Sequence, residues 1–224
     1  MARLPVPGKV KSRLAASLGE EQAALFYKLC SEQVLSAVGQ LPSSVHKYLF
    51  CADESGAREA GAWAGAAFKT VVQQGADIGE RLVQALTRAF AEGAVKTLAV
   101  ATDVPDLTAS IVRTALQALQ KSDLVLGPCF DGGYYLIGMN GLRHQLFSDI
   151  PWSTGYVTSS TLKQAEKLRL SVKQLQTLWD IDSETDLKAW SISGLSPQDN
   201  PLNRFVRSLH LADIANAAKD SISG

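Results

Sequence analysis

Cysteine and histidine are scarce in this chain, with three of each among 224 residues. Cys30, Cys51 and Cys129 lie far apart and no C-x-x-C pair occurs. A sparse, odd set is neither a disulfide framework nor a zinc site, and it points to a reducing, cytoplasmic compartment. His46, His144 and His210 have no metal-binding spacing, and no G-x-S-x-G motif supports serine-type hydrolysis. Neither sign of charge is in excess, since 22 Lys and Arg balance 22 Asp and Glu. That disfavours a uniformly basic nucleic-acid binder. No apolar run approaches the ~18 residues that span a bilayer, and no signal-peptide core follows Met1. The expectation is a soluble intracellular protein with no membrane partner. A Walker-type G-x-x-x-x-G-K-[ST] loop is also missing, as is a G-x-G-x-x-G after a first strand, which argues against a nicotinamide-dependent oxidoreductase.

What is present is a globular composition, 46% hydrophobic, which excludes disorder for most of the chain. Apolar periodicity predicts a helix from Glu20 to Gly39, with Phe26, Leu29, Cys30, Val34 and Ala37 inward. A second runs from Ile78 to Ala91, with Ile78, Leu82, Ala85, Leu86 and Ala89 inward. A third is capped by Thr108. Short buried strands are predicted at 48–52, 68–73, 97–101, 124–126 and 134–139, and a further one within 172–178. Strands alternating with amphipathic helices give an α/β fold: three layers, with a mostly parallel sheet and helices on both faces. Residues 1–194 are expected to form one nucleotide-binding domain. Residues 195–224 are expected to add a loop and a last helix, opened by Pro201 and running to about Lys219, packed on the same domain.

Several constellations carry chemistry. In PVPGKVKSR at 5–13, Lys9, Lys11 and Arg13 alternate beside Gly8. Such a loop can wrap a polyphosphate, and equally can be a solvated basic segment. In TDVPDL at 102–107, Asp103 stands just past a buried strand, where open α/β sheets bind ligands and where a carboxylate suits Mg²⁺. The other reading is a turn cap, which is favoured for Asp106. Asp131, Gly132 and Gly133 form either a hairpin turn or a place where a substrate approaches the backbone. In WDIDSETDL at 179–187, Ser183 and Asp186 read as a capping box, leaving Asp180 and Asp182 over. If Asp182 lies near Asp103, their like charges call for a cation. Gln74, Gly75 and Arg81 sit at a helix start that can bind an anion or a base edge, although capping by Asp77 explains that turn as well.

Taken in order, these motifs, together with GPCFDGGYYLIG and PWST, resemble the radical-SAM/selenodomain-associated transferase family over about Pro5 to Leu187. That family is glycosyltransferase-A-like. It is similar in fold to 2-phospholactate guanylyltransferase and to molybdenum-cofactor nucleotidyltransferases. The resemblance implies a transferase that uses a nucleoside triphosphate or nucleotide-sugar, a small-molecule acceptor and Mg²⁺ (or Mn²⁺). By the same resemblance Lys9, Lys11 and Arg13, with Gly8, match the phosphate-binding loop. Asp103 matches a metal ligand, and Asp182 a second metal contact. Asp131, Gly132 and Gly133 would face the acceptor or sugar. Gln74, Gly75, Arg81 and Trp152 are assigned to nucleotide binding.

Ser12 replaces a Thr common in the family. Relatives also carry an apolar strand directly before the PxPGK loop, whereas here only Met1 to Leu4 precede it. About five buried side chains at ~1.5–3 kcal/mol each amount to roughly 8–15 kcal/mol. That is comparable to a domain's whole stability of about 5–15 kcal/mol. The expectations are a start lying upstream, a gapped sheet with a truncated first central strand, or a borrowed strand, which leaves homodimerisation by strand exchange open. A nucleotide-binding paralogue without turnover is the alternative function.

Overall fold

The computed structural model describes residues 1–52, 54–193 and 199–209. Among these, helix α1 (Ser12–Leu18) is followed by α2 (Glu20–Gly39), β1 (Tyr48–Cys51), α3 (Glu54–Ala64) and β2 (Lys69–Val72). Next come α4 (Ile78–Ala91), β3 (Thr97–Val100), α5 (Ala109–Ala118), β4 (Leu124–Pro128) and β5 (Tyr134–Met139). A 3-10 turn (His144–Phe147), α6 (Val157–Lys167), β6 (Val172–Gln174), α7 (Glu184–Ser193) and α8 (Pro201–Ser208) complete it. The remainder of the helix expected after Pro201, the turn from Gly194, and His210 lie outside the described residues.

Strands β1 and β2 pair in parallel, while β3, β5, β4 and β6 form a four-stranded sheet in that order. Within it β5 alone runs against its neighbours, because it returns from β4 as a hairpin. Apolar side chains cover both faces. Val125 and Leu136 pack with Val112, Ala115 and Leu119 of α5 and Val34 of α2. Leu124, Leu126, Ile137 and Met139 pack with Leu82 and Leu86 of α4 and Ala165 of α6. A further cluster joins Leu14 of α1, Phe26 and Cys30 of α2, Leu187 and Trp190 of α7, and Leu202 and Val206 of α8. Helix α8, the last among the described residues, thus packs against α1, α2 and α7.

Helix starts follow their sequence signals. Asp77 accepts from the Glu80 N–H at 2.8 Å, satisfying an orphan donor of α4, and Glu80 reaches back past the cap to accept from the Ala76 N–H at 2.8 Å. Thr108 caps α5 by accepting from the Ile111 N–H at 3.3 Å. Helix α1 has no such signal and is not anticipated from sequence: its cap position is Lys11, in the left-handed region at φ 49°, with no side-chain capping bond. Ile78, expected inward, is 41% exposed because it opens the first turn of α4.

The two sheets meet at the chain start. Ala2 bridges Cys51 in parallel and donates to the Phe50 carbonyl at 2.8 Å, while the Met1 ammonium donates to the Val100 carbonyl at 3.0 Å. Below these residues β1 and β3 face one another across an apolar cavity of about 450 Å³, lined by Leu35, Leu49, Leu86, Leu98 and Leu116 among others. Leu98, Ala99 and Val100 are consequently only half-buried.

Two strand glycines set how closely the layers pack. A Cβ on Gly127 would lie 2.3 Å from the Tyr135 ring, and one on Gly138 would lie 2.1 Å from Leu98. Gly127→Ala should therefore overpack the core beside Tyr135, with a cost of about 1–3 kcal/mol. We expect its melting temperature to drop by roughly 3–10 °C in a calorimetric scan; an unchanged value would show that Tyr135 repacks freely.

Candidate active site

The parallel strands deliver their following loops to one edge, and four loops contribute acidic or basic side chains there. The first is the N-terminal loop. Val10 is buried against Ala24 and Tyr27, which turns Lys11 inward and leaves Lys9 exposed. The second follows β3 and is clamped by α2. Ser31 Oγ donates to the Thr102 carbonyl at 3.1 Å, and Tyr27 shares a 3.1 Å hydrogen bond with the Thr102 hydroxyl. The Gln33 amide donates to the Pro105 carbonyl. These buried polar groups fix the turn that presents Asp103.

The third loop follows β6. Cys129 bridges Leu178 in parallel, so residues 175–179 run beside the end of β4. The Ile181 N–H then donates to the Asp103 carbonyl at 3.3 Å. Ile181 is fully buried, so Asp180 and Asp182, its neighbours in an extended segment, share the opposite side. The predicted capping box is present: Asp186 accepts from the Ser183 N–H at 2.8 Å and from its hydroxyl at 2.7 Å. Asp106 accepts from Trp190 Nε1 at 2.7 Å, tying the β3 loop to α7, which is a structural task.

Lys11 lies at the centre. Its side chain is 6% exposed, and Nζ lies 2.8 Å from Asp103, 3.5 Å from Asp180 and 3.6 Å from Asp182. Arg13, 78% exposed, reaches Asp182 at 3.2 Å. Burial alone would lower the Lys11 pKa, but the surrounding carboxylates, Asp103 foremost, raise it above the ordinary lysine range. Burial works against the Asp103 carboxylate too, and Lys11 more than offsets it, holding its pKa below the usual value. Asp180 goes the other way: burial, then the Asp103 charge, push it up to about 7.

The fourth loop joins β4 to β5. Asp131 is exposed and accepts from the Gly133 N–H at 2.8 Å. The hairpin reading accounts for these residues: Gly132, at φ +90°, leaves its Cβ position to Gly155, whose carbonyl oxygen would lie 2.0 Å away. Its bareness thus admits backbone rather than a substrate. Gly8, at φ +74°, likewise faces Glu20, with Oε2 2.9 Å from the Cβ position.

The Gln74–Arg81 turn also follows a parallel strand. Gln74 and Gly75 are exposed, whereas Arg81 folds back to donate to the Gly75 carbonyl at 3.0 Å. Trp152 lies over Gly79, its Nε1 2.2 Å from that Cβ position, and meets Tyr134 edge-on at 6.4 Å. The structure therefore brings Lys11, Arg13, Asp103 and Asp182 into contact. Asp131 lies near enough to act on Asp180 through its charge, while Lys9 and Gln74 are exposed and Trp152 packs against Gly79 and Tyr134.

Sequence reasoning left Asp180 without a role, although it is less exposed than Asp182, 26% against 45%. The signal was the i, i+2 spacing of D-I-D around an apolar residue. The clamp by Tyr27, Ser31 and Gln33 left no local sequence signal, because its partners are more than seventy residues away.

Three carboxylates on hard oxygen donors suit a Mg²⁺-like ion in type. Among the described residues no group of His, Cys, Asp or Glu is drawn into a ready-made cation cage. Lys11 Nζ stands between the carboxylates instead, so the donor chemistry suits such an ion while the ammonium holds the place.

Solved structures match this architecture. A protein from Desulfovibrio desulfuricans G20, provisionally named a nucleotide-diphospho-sugar transferase, is 30% identical to this chain. The match covers 92% of this chain and 91% of that one, with a TM-score of 0.86. A cytidylyltransferase from Leptospira borgpetersenii serovar Hardjo-bovis (strain JB197) matches over 99% and 92% at 11% identity, with a TM-score of 0.50, a likeness of fold alone. The fold is of the glycosyltransferase-A, nucleotide-diphospho-sugar-transferase-like class. By its matching family profile, over residues 35–154, the chain belongs to the family described as "uncharacterized protein conserved in bacteria (DUF2064)". That match includes Asp103, Asp131 and Trp152 but not Lys11, Asp180 or Asp182. No curated protein matches the sequence. No helix among the described residues is long and apolar enough to cross a membrane.

The raised Asp180 pKa has a stability consequence. A carboxyl near 7 folded and near 3.8 unfolded binds its proton more tightly when folded. Its contribution is fully present below about pH 4 and is lost as pH rises through about 7. In chelator-treated protein, urea stability should fall by on the order of 2–4 kcal/mol between pH 4 and pH 8 relative to Asp180→Asn. Parallel pH profiles for the two proteins would contradict the burial of this charge.

Proposed function

We propose that this chain is a Mg²⁺-dependent (or Mn²⁺-dependent) transferase. It would take a nucleoside triphosphate or nucleotide-sugar and pass a nucleotidyl or glycosyl group to a small acceptor. The observation that carries this reading is the convergence of Asp103, Asp180 and Asp182 on Lys11 at the carboxyl edge of the parallel strands. The likeness in fold and sequence to a protein provisionally named a nucleotide-diphospho-sugar transferase supports it. The narrower radical-SAM/selenodomain-associated grouping rests on the motif resemblance.

Asp103 and Asp182, with Asp180 added by the structure, are the residues that would hold the cation. When bound, that ion would neutralise phosphate oxygens and the leaving group. Lys9 and Arg13 reach outward to the donor's phosphates, and the basic loop stabilises charge developing on departing pyrophosphate or nucleoside diphosphate. Asp131 orients the acceptor hydroxyl, beside the turn that Gly132 and Gly133 form. Gln74 and Gly75, with Trp152 behind them, line the nucleotide side, where Arg81 keeps the turn rigid.

A thermal-shift screen of nucleotides and nucleotide-sugars with Mg²⁺ tests this. A ligand at 100 times its dissociation constant adds ~2.7 kcal/mol, a rise of roughly 5–10 °C at this size. Asp103→Asn should abolish the Mg²⁺-dependent shift while leaving the far-ultraviolet spectrum unchanged. Equal nucleotide affinity in that variant, measured with Mg²⁺, would overturn the reading. Tight binding with no release of pyrophosphate or nucleoside diphosphate would make the chain a nucleotide-binding paralogue instead.

A further inference from the structure

We infer that Lys11 is an internal stand-in for the divalent cation: its ammonium holds Asp103, Asp180 and Asp182 together and must leave them when the cation binds. The inference rests on the transferase reading and extends it by giving Lys11 two alternative partners.

Charge is the first support. Lys11 and Arg13, two cations, face three carboxylates, Asp103, Asp180 and Asp182. A divalent ion entering beside Lys11 would meet the ammonium in direct repulsion, and the two cations compete for the same carboxylates.

Space is the second. Mg²⁺ takes oxygens at about 2.0–2.1 Å. Lys11 Nζ already stands 2.8–3.6 Å from one oxygen of each of the three carboxylates. The same oxygens cannot close on an ion while the ammonium lies between them.

Backbone conformation is the third. Lys11 is a non-glycine residue at φ 49° and ψ 49°, and it leaves α1 without a side-chain cap. A left-handed conformation is costly for a residue with a Cβ. The ion pairs hold Lys11 there, and their loss lets the loop relax. Residues 6–9 of that loop are exposed, with Gly8 at φ +74°, while Val10 anchors it next to Lys11. An ammonium leaving the carboxylates would find its next partner in the donor's phosphates. Cation and phosphate binding would then be linked through one side chain.

The test is calorimetric titration with MnCl₂ alone, without nucleotide. Lys11→Met should bind Mn²⁺ about thirty-fold or more tightly than the wild type, because a buried like charge is removed from the site. Arg13→Met removes the same formal charge from a solvent-screened position and should gain less than about three-fold. A Lys11→Met affinity no higher than that of Arg13→Met would overturn the inference. If Lys11→Met fails to fold, the comparison moves to an Asp180→Asn background, where adding Lys11→Met removes one charge of each sign. There the double variant must bind Mn²⁺ more tightly than Asp180→Asn alone, and equal affinities would overturn the inference. Asp103→Asn in the same titration separates the two readings. Mn²⁺ binding that needs Asp103 but ignores Lys11 sinks only the stand-in role. Binding indifferent to Asp103 sinks the metal assignment, and the stand-in role with it.

Discussion

The Lys11 ammonium, nearly sealed from solvent and shared among Asp103, Asp180 and Asp182, is the charge on which the crevice depends. Removing one partner of a buried ion pair typically costs about 3–5 kcal/mol, because the other charge is left uncompensated. Here a single cation answers to carboxylates from two separate loops, so its loss would set those loops against each other. Such pairs contribute little net stability compared with a well-packed apolar core. Their presence at the carboxyl edge, where open α/β sheets bind ligands, is better understood as part of the site than as a prop for the fold.

Asp103 is held from behind as firmly as from the front. Buried hydroxyls of Tyr27 and Ser31 fasten the Thr102 turn to α2, and the Ile181 N–H fastens the late loop to Asp103's own carbonyl. The Asp106–Trp190 bond then fixes α7 against the same turn. Acidic groups that would repel one another in isolation are thus kept close by hydrogen bonds to their loops as well as by the Lys11 charge. The long α2 helix serves two tasks: its apolar stripe supports the core, and its polar residues steady the turn.

Much of this was legible in the sequence. The α2 and α4 boundaries, the Thr108 and Asp77 caps, the Ser183–Asp186 box and, Ile78 apart, the inner faces of the helices follow from local rules, and the structure obeys them. Asp103 stood out because it followed a buried strand. Helix α1 was hidden, since its cap position is a lysine that spends its side chain on distant carboxylates. Asp180 was hidden because its neighbourhood is made by the pairing of residue 129 with residue 178, a contact across the chain rather than along it. The same holds for Gly132: a Gly-Gly turn looks open to a ligand in one dimension, and only in three dimensions does Gly155 claim the space.

Distant parts of the chain meet at this crevice. Residue 11 comes from the first helix's threshold, residue 103 from the middle, and residues 180 and 182 from just before α7. Contacts of such separation form late, after the loops between them have closed. A nascent polypeptide therefore has no complete crevice until residue 182 has left the ribosome. Until then its lysine lacks the full set of counter-ions that will later enclose it.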